Sequence, residues 1–243
     1  MKRMLLTISY DGTAYHGWQV QPNGITVQQT LQDALEKLLG ERVSVTGCSR
    51  TDAGVHARQF CCHIDCENHF PETAFLKGVN SLLPNDIAVM DCKEVSNDFH
   101  ARYNAKGKKY IYSFYTGPLN PFDSRYMLHL ENIPDIDLMN DFCKGIVGTH
   151  DFAGFSCSKR TVEDTVRTIT DCCVKTKKNK IYFEIKGDGF LYNMVRILAG
   201  TALSVGQKRL NSDCYNDVFK ENCRSKAGDT LPAFALILDE VFY

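Results

Sequence analysis

The sequence predicts an α+β fold of two similar α/β units, joined into one wide, mainly antiparallel sheet with helices on one face and a cleft between the units. Three observations predict it. The hydrophobic period switches between 2 and 3.6 in the order β–α–β–β–α–β over residues 3–95. A looser version of the same alternation follows residue 105. A chain of 243 residues, 44% of them hydrophobic, suits one large domain or two small ones. A chain of this length buries roughly 70–75% of its unfolded surface. The units are assigned to 1–104 and 105–243.

Residues 3–10 read as a strand, and Tyr10 to Trp18 as a loop rich in aromatic and hydrogen-bonding groups. Thr26 and Gln29 form a capping-box pattern that opens a helix. Val27, Leu31, Ala34, Leu35 and Leu38 mark its apolar face, and Gly40 ends it. Residues 42–48 and 57–65 read as strands. Pro71 fits the first position of a helix to about Leu83, and 86–95 is the next strand. This is the split βαβ order of ferredoxin-like, or RRM-like, folds. In the second half, 108–116 alternates with Tyr110, Tyr112 and Phe114 on one face. A helix follows over 134–147, then strands over 165–176 and 180–187 about a lysine-rich hairpin. An apolar helix over 189–205 and a last strand over 233–243 close the chain.

Composition excludes several classes. The formal net charge is −1, so no global basic excess advertises a polyanionic partner. The eleven cysteines contain no Cys-x-x-Cys pair, which argues against a zinc site, and several fall in apolar strand patterns. They read as reduced, buried thiols of a cytosolic protein, and the chain opens on a strand-like run, not a leader. No apolar run approaches the ~20 residues of a membrane span.

Four segments carry chemistry-bearing residues. Ser49-Arg50-Thr51-Asp52-Ala53-Gly54-Val55-His56-Ala57 sets a cation, a carboxylate and an imidazole between two strands. By local pattern alone Asp52-Ala53-Gly54 is a turn, and in a cleft its charges serve chemistry. Phe99 to Tyr112 interleaves cations with rings. It suits phosphates and unpaired bases, or else is a solvated linker followed by a strand with buried tyrosines. Arg196 lies inside the apolar helix that follows Gly187-Asp188-Gly189. It either reaches solvent along its stem or pairs with a carboxylate, for which Asp52 is the candidate. Gly148 to Arg160 is a loop of small, aromatic and basic residues that is either a plain loop or a cleft wall.

Together these segments resemble the tRNA pseudouridine synthase A family nearly end to end. The resemblance rests on Tyr10-Asp11-Gly12-Thr13 with Tyr15, Gly17, Trp18 and Gln19, on Thr26-Val27-Gln28, and on Arg50-Thr51-Asp52-Ala53-Gly54-Val55-His56. It continues through Phe99-His100-Ala101-Arg102, Lys109-Tyr110-Ile111-Tyr112, His150-Asp151-Phe152, Phe190-Leu191, Met194-Val195-Arg196 and Pro232-Ala233. The chain departs from the family pattern at Leu231, Ala235 and Tyr192-Asn193.

The resemblance implies isomerisation of uridine to pseudouridine in the tRNA anticodon stem-loop by a cytoplasmic homodimer, with no metal or other cofactor. It implies that Asp52 is the catalytic carboxylate, with Arg196 as its ion-pair partner and Tyr110 as the active-site tyrosine that stacks on the target uracil. It implies that Arg50 fills the gap left by the flipped base, and that His56, Arg102, Lys108 and Lys109 contact RNA. Lys159, Arg160, Arg167, Lys175, Lys177, Lys178 and Lys180 are either a phosphate-binding patch or a solvated hairpin, with Arg102, Lys106, Lys108 and Lys109 as a second group. Three rival readings are weaker. A non-catalytic RNA-binding protein predicts a missing carboxylate. An aspartic hydrolase needs a second Asp sharing a proton, for which Asp11-Gly12 and Asp188-Gly189 are poor copies. A thiol enzyme needs cysteines at helix starts, whereas Cys61-Cys62 and Cys172-Cys173 sit in strand patterns.

Overall fold

The computed structural model describes residues 1–67, 70–157 and 163–243. The chain forms two compact units, Met1–Lys106 with Ile237–Tyr243, and Gly107–Leu236. The predicted α+β class holds in both. The last strand belongs with the first unit, whereas the sequence reading placed all of 105–243 in the second.

The first unit contains β1 (Lys2–Tyr10), α1 (Val27–Leu39), β2 (Thr46–Gly47), β3 (His56–Cys66), α2 (Glu72–Leu82) and β4 (Ile87–Val95). Its strands run antiparallel in the order β4–β1–β3–β2, the ferredoxin-like order. Register pairs Lys2 with Cys66 and Ile8 with Phe60, and an irregularity falls between Ile8 and Tyr10. The C-terminal strand (Leu236–Phe242) shares the outer edge of β3 and runs parallel to it at Ile237–His56 and Leu238–Ala57. The α1 boundaries come out as predicted: Thr26 Oγ1 accepts from Gln29 N–H, and Gly40 ends the helix at φ +79°. Pro71 is the N-cap of α2, one position before the predicted one. Leu6, Ile8, Leu31, Leu35, Phe60, Phe75 and Val79 are fully buried. Each contributes roughly 1.5–3 kcal/mol of transfer free energy.

The predicted strand over 42–48 shrinks to Thr46–Gly47. Val43 and Val45 are buried as the apolar pattern required, but their carbonyls accept from Gln32 and Gln28 side chains of α1 instead of from a strand.

The second unit contains β5 (Gly107–Thr116), α3 (Pro121–Ser124), β6 (Leu128–Leu130), α4 (Ile136–Gly145), β7 (Gly148–Asp151), β8 (Val166–Lys177), β9 (Lys180–Gly187), α5 (Met194–Gly206) and α6 (Tyr215–Glu221). Strands β5–β9–β8–β7 are antiparallel, and β6 pairs parallel to β5. A two-residue turn at Lys178-Asn179 joins β8 to β9, with Lys178 left-handed at φ +57°. Strand β5 is buried on both faces, so its aromatic alternation reports neighbours on two sides and not one. Helix α5 starts at Met194, five residues later than predicted, because Asn193 is left-handed at φ +59°. A short 3-10 turn over 233–235 precedes the last strand. Among the described residues, no helix is long and apolar enough to cross a membrane.

Candidate active site

The chain reverses direction between β2 and β3 through a turn closed by Val55 N–H donating to the Asp52 carbonyl at 3.1 Å. Its third residue, Gly54, is left-handed at φ +79°, a conformation that glycine adopts without a Cβ penalty. Backbone bonds hold the turn on both sides of Asp52. Trp18 N–H donates to the Thr51 carbonyl at 3.2 Å, and Gly54 N–H to the Tyr15 carbonyl at 3.3 Å. The Tyr10 hydroxyl lies 2.9 Å from Thr51 Oγ1. A Cβ on Gly17 would stand 2.5 Å from the Thr51 carbonyl oxygen, and one on Gly12 would stand 2.0 Å from that of Val55. The Tyr-Asp-Gly-Thr…Gly-Trp segment is therefore the cradle of this turn. Its own anchors are the Trp18–Phe60 stack, at 4.0 Å between centroids, and the Tyr15 hydroxyl donating to Asp86 at 2.7 Å. Burial first, and the Asp86 hydrogen bond second, push the Tyr15 pKa up, so this donor stays protonated. Asp52 itself is half-buried and Arg50 is exposed.

His56 is 3% exposed, and its Nδ1 lies 3.0 Å from both Gly12 N and Asp11 Oδ1. Bare, that nitrogen accepts from Gly12 N–H. Protonated, it donates to Asp11. Accepting from Gly12 N–H, His56 braces the Gly12–Val55 crossing. Lys108, at the start of β5, is 8% exposed. Arg102 is exposed, on the loop after β4.

In the second unit Tyr110 lies on β5, 6% exposed and paired with Ile185. Phe190 meets its ring edge-on at 5.2 Å between centroids. The Arg196 guanidinium, half-buried on the first turns of α5, is held by partners in its own unit. Nε donates to the Leu231 carbonyl at 2.6 Å and Nη1 to Asn193 Oδ1 at 2.7 Å. The carbonyl is in place because residues 228–231 cross α5 closely. A Cβ on Gly200 would be 2.0 Å from the Asp229 carbonyl oxygen, and Gly228 N–H donates to Thr201 Oγ1 at 2.9 Å. Leu231, through its backbone, and Asn193, through its side chain, thus supply atoms that orient Arg196.

Two cations of the hairpin, Lys175 and Lys180, have close carboxylate partners. Lys109 and Lys175 share Glu184 at 3.2 and 2.8 Å, and Lys180 pairs with Asp123 at 2.5 Å. Burial acts to raise the Glu184 pKa, but hydrogen bonds from Lys175 and Lys109 outweigh it and hold the carboxyl below its usual range. Arg167 bonds its own strand at the Val166 carbonyl. Lys177 and Lys178 are exposed at the tip, and Lys159 and Arg160 lie outside the described residues. Seven of the eleven cysteines are buried. Burial pushes the Cys61 thiol up to about 11 and those of Cys62 and Cys172 well above their ordinary value, so these three are not poised as nucleophiles.

Each unit thus assembles its own part of the predicted set: Asp52 with Arg50 and the His56 brace in the first, Tyr110 and Arg196 in the second. No motif or periodicity marked Asp86 or the Leu231 carbonyl. The crowding glycines 12 and 17 stood in plain view in the motif, but their reason is visible only in three dimensions.

The family model described as tRNA pseudouridine synthase matches residues 6–104 and 142–243. Arg50, Asp52, His56, Arg102 and Arg196 fall inside the matched stretches, and Lys108, Lys109 and Tyr110 fall between them. The tRNA pseudouridine synthase A of Clostridium kluyveri is 46% identical over 244 residues, covering 100% of both chains. That of Ruminiclostridium cellulolyticum is 44% identical over 245 residues, and the tRNA pseudouridine synthase A 2 of Clostridium perfringens 41% over 244, each again covering 100% of both chains. Identity of this order held over whole chains, with the same turn and its cradle inside the matched stretch, places this chain in the tRNA pseudouridine synthase family.

Proposed function

We propose that the chain converts uridine to pseudouridine in the anticodon stem-loop of tRNA, at about positions 38 to 40, with ionised Asp52 as the catalytic group. One observation carries the reading. Asp52 is a half-buried carboxylate on a turn fixed by backbone bonds at Thr51 and Gly54, beside an exposed arginine. In the reaction the N1–C1′ bond breaks, the uracil rotates, and C5 bonds to C1′, with the C5 proton lost and N1 protonated. Reactant and product are isomers, so the reading requires no metal, redox cofactor or energy source.

Asp52 acts as nucleophile or base, and either role needs the charged form. In this reading Arg196 is its counter-ion and favours that form, oriented for the task by Leu231 and Asn193. In this reading Tyr110 stacks on the target uracil and its hydroxyl takes part in proton transfer. Arg50 enters the space vacated by the flipped base, offsetting part of an extrusion cost of a few kcal/mol. Arg50 and Arg102, both exposed, meet phosphate, with Lys109 in a lesser role because it shares Glu184. The protein works in the cytoplasm as a homodimer, one tRNA touching both subunits. With a net charge of −1, its RNA affinity comes from local cations and falls as salt is added.

The test is to incubate the purified protein with unmodified tRNA transcripts and map pseudouridine along them. The expected result is product confined to the anticodon stem-loop. Product elsewhere, or in another RNA only, would replace this substrate assignment, and no product in any RNA would overturn the catalytic reading.

A further inference from the structure

The loop after β4 displays one aromatic ring that the reaction does not use. Tyr103 is 78% exposed, yet the loop beneath it is fixed at almost every residue. Arg3 Nη1 donates to the carbonyls of Asn97 and Phe99 at 2.6 and 2.9 Å. His100 N–H donates to Asn104 Oδ1 at 2.6 Å, and Asn104 N–H returns to the His100 carbonyl at 3.0 Å. Ala101 N–H donates to His63 Nδ1 at 3.1 Å, while the Tyr243 hydroxyl donates to its carbonyl at 2.7 Å. Arg102 and Tyr103 N–H both donate to His100 Nδ1, at 3.1 and 3.3 Å.

The last pair sets the ring geometry. His100 is turned to lie against Tyr103 at 4.2 Å between centroids and 31° between planes, and buried His63 supports it edge-on at 5.0 Å. The Arg102 guanidinium carbon sits 5.9 Å from the centroid of Tyr103. An exposed ring on a rigid support beside a cation has the chemistry that stacks an unpaired base and holds the adjoining phosphate. Its neighbours Arg102, Asn104 and Lys106 are all exposed and polar, so no apolar patch continues from the ring as a protein partner would require.

We propose that Tyr103, backed by His100 and flanked by Arg102, is a stacking site for an unpaired RNA base separate from the uridine being isomerised. The proposal rests on the tRNA reading above in taking RNA as the ligand. The ring contributes binding and placement, not chemistry, and its preformed support lowers the ordering entropy lost on binding.

The test uses the full chain and Tyr103→Ala, Tyr103→Leu and Tyr103→Phe. The probes are a synthetic anticodon stem-loop RNA and a fully paired duplex of the same stem, at one fixed salt concentration. For the stem-loop, Tyr103→Ala and Tyr103→Leu raise Kd roughly 5- to 100-fold, and Tyr103→Phe stays within about twofold of wild type. Duplex affinity and the single-turnover rate at saturating RNA do not change. Unchanged stem-loop affinity in Tyr103→Ala overturns the proposal, as does an equal loss on the duplex. A changed oligomeric mass in size-exclusion chromatography also overturns it, by assigning the ring to a second copy of the chain. The underlying reading is scored separately in wild type. Absence of pseudouridine with Tyr103-dependent stem-loop affinity sinks the catalytic reading and keeps the stacking site, and the converse result does the opposite.

Discussion

Replacing Gly12 by Ala tests whether the Tyr-Asp-Gly-Thr segment exists to hold the Asp52 turn. The new Cβ would lie 2.0 Å from the Val55 carbonyl oxygen and 2.7 Å from its carbon. Both are backbone atoms, so no side chain can swing aside, and the two segments must separate by about 1.4 Å to reach ordinary contact. That movement strains the 3.0 Å bond from Gly12 N–H to His56 Nδ1, with the ring 3% exposed, and drags Val55, which closes the turn on Asp52. Overpacking costs about 1–3 kcal/mol and a weakened buried hydrogen bond about 1–3 kcal/mol more. The expected loss is therefore about 2–6 kcal/mol, within the stability of a typical domain. A displacement of this size in a catalytic group lowers turnover on the order of 100-fold. Urea denaturation reads the first quantity through a lower midpoint at unchanged slope, and single-turnover pseudouridine formation reads the second. Gly40→Ala is the control. That residue, unlike Gly12, is left-handed, at φ +79°, and nothing lies within 4 Å of its Cβ, so it loses only the roughly 1–2 kcal/mol of backbone strain. If Gly12→Ala costs no more than Gly40→Ala and keeps full turnover, the cradle argument is wrong.

Three further outcomes are expected. Burial, then the nearby charges of Arg3 and His100, hold the His63 pKa below its ordinary 6.5, with Asp65 opposing them. Stability is therefore complete above about pH 6.5 and falls as pH drops toward the lower folded value. Urea midpoints across pH 5–7 should show this slope and lose much of it in His63→Gln; an unaltered slope would contradict it. Gly200→Ala drives a Cβ against the Asp229 carbonyl and shifts the Leu231 carbonyl that accepts from Arg196 Nε at 2.6 Å. It should lower the catalytic rate with tRNA affinity within about threefold of wild type, and a fall in affinity alone would argue against Arg196 orientation as the cause. Tyr110→Phe keeps the ring and removes the hydroxyl, so a rate loss at unchanged affinity assigns the hydroxyl a proton, while full activity confines Tyr110 to stacking.

Elements bounded by local chemistry were legible in the sequence. Thr26 and Gly40 bracket α1 because a capping hydroxyl and a left-handed glycine act within a few residues. Elements decided by distant partners were not. The run over 42–45 carries strand residues, but glutamines of α1 take its carbonyls. Residues 189–192 are apolar enough for a helix, yet left-handed Asn193 delays the start of α5. Strand β7, Gly148–Asp151, has no apolar alternation and exists because the edge of β8 offers it partners. The same division runs through the site. Asp52 stood out by its motif, and so did Arg196, a cation inside an apolar helix. The motif marked His56 equally, but its role as a brace appears only once Gly12 and Asp11 are seen at 3.0 Å. Tyr103 was legible only as one ring of the segment from Phe99 to Tyr112, and its 78% exposure appears only in the structure.

The most direct test of the central claim is single-turnover pseudouridine formation by Asp52→Asn on an unmodified tRNA, with affinity measured on the same preparation. The substitution keeps size and turn-forming capacity and removes the charge. With Asp52 as the catalytic group, binding stays within about threefold of wild type and no product forms. Turnover near the wild-type rate would contradict it and move the chemistry to another group.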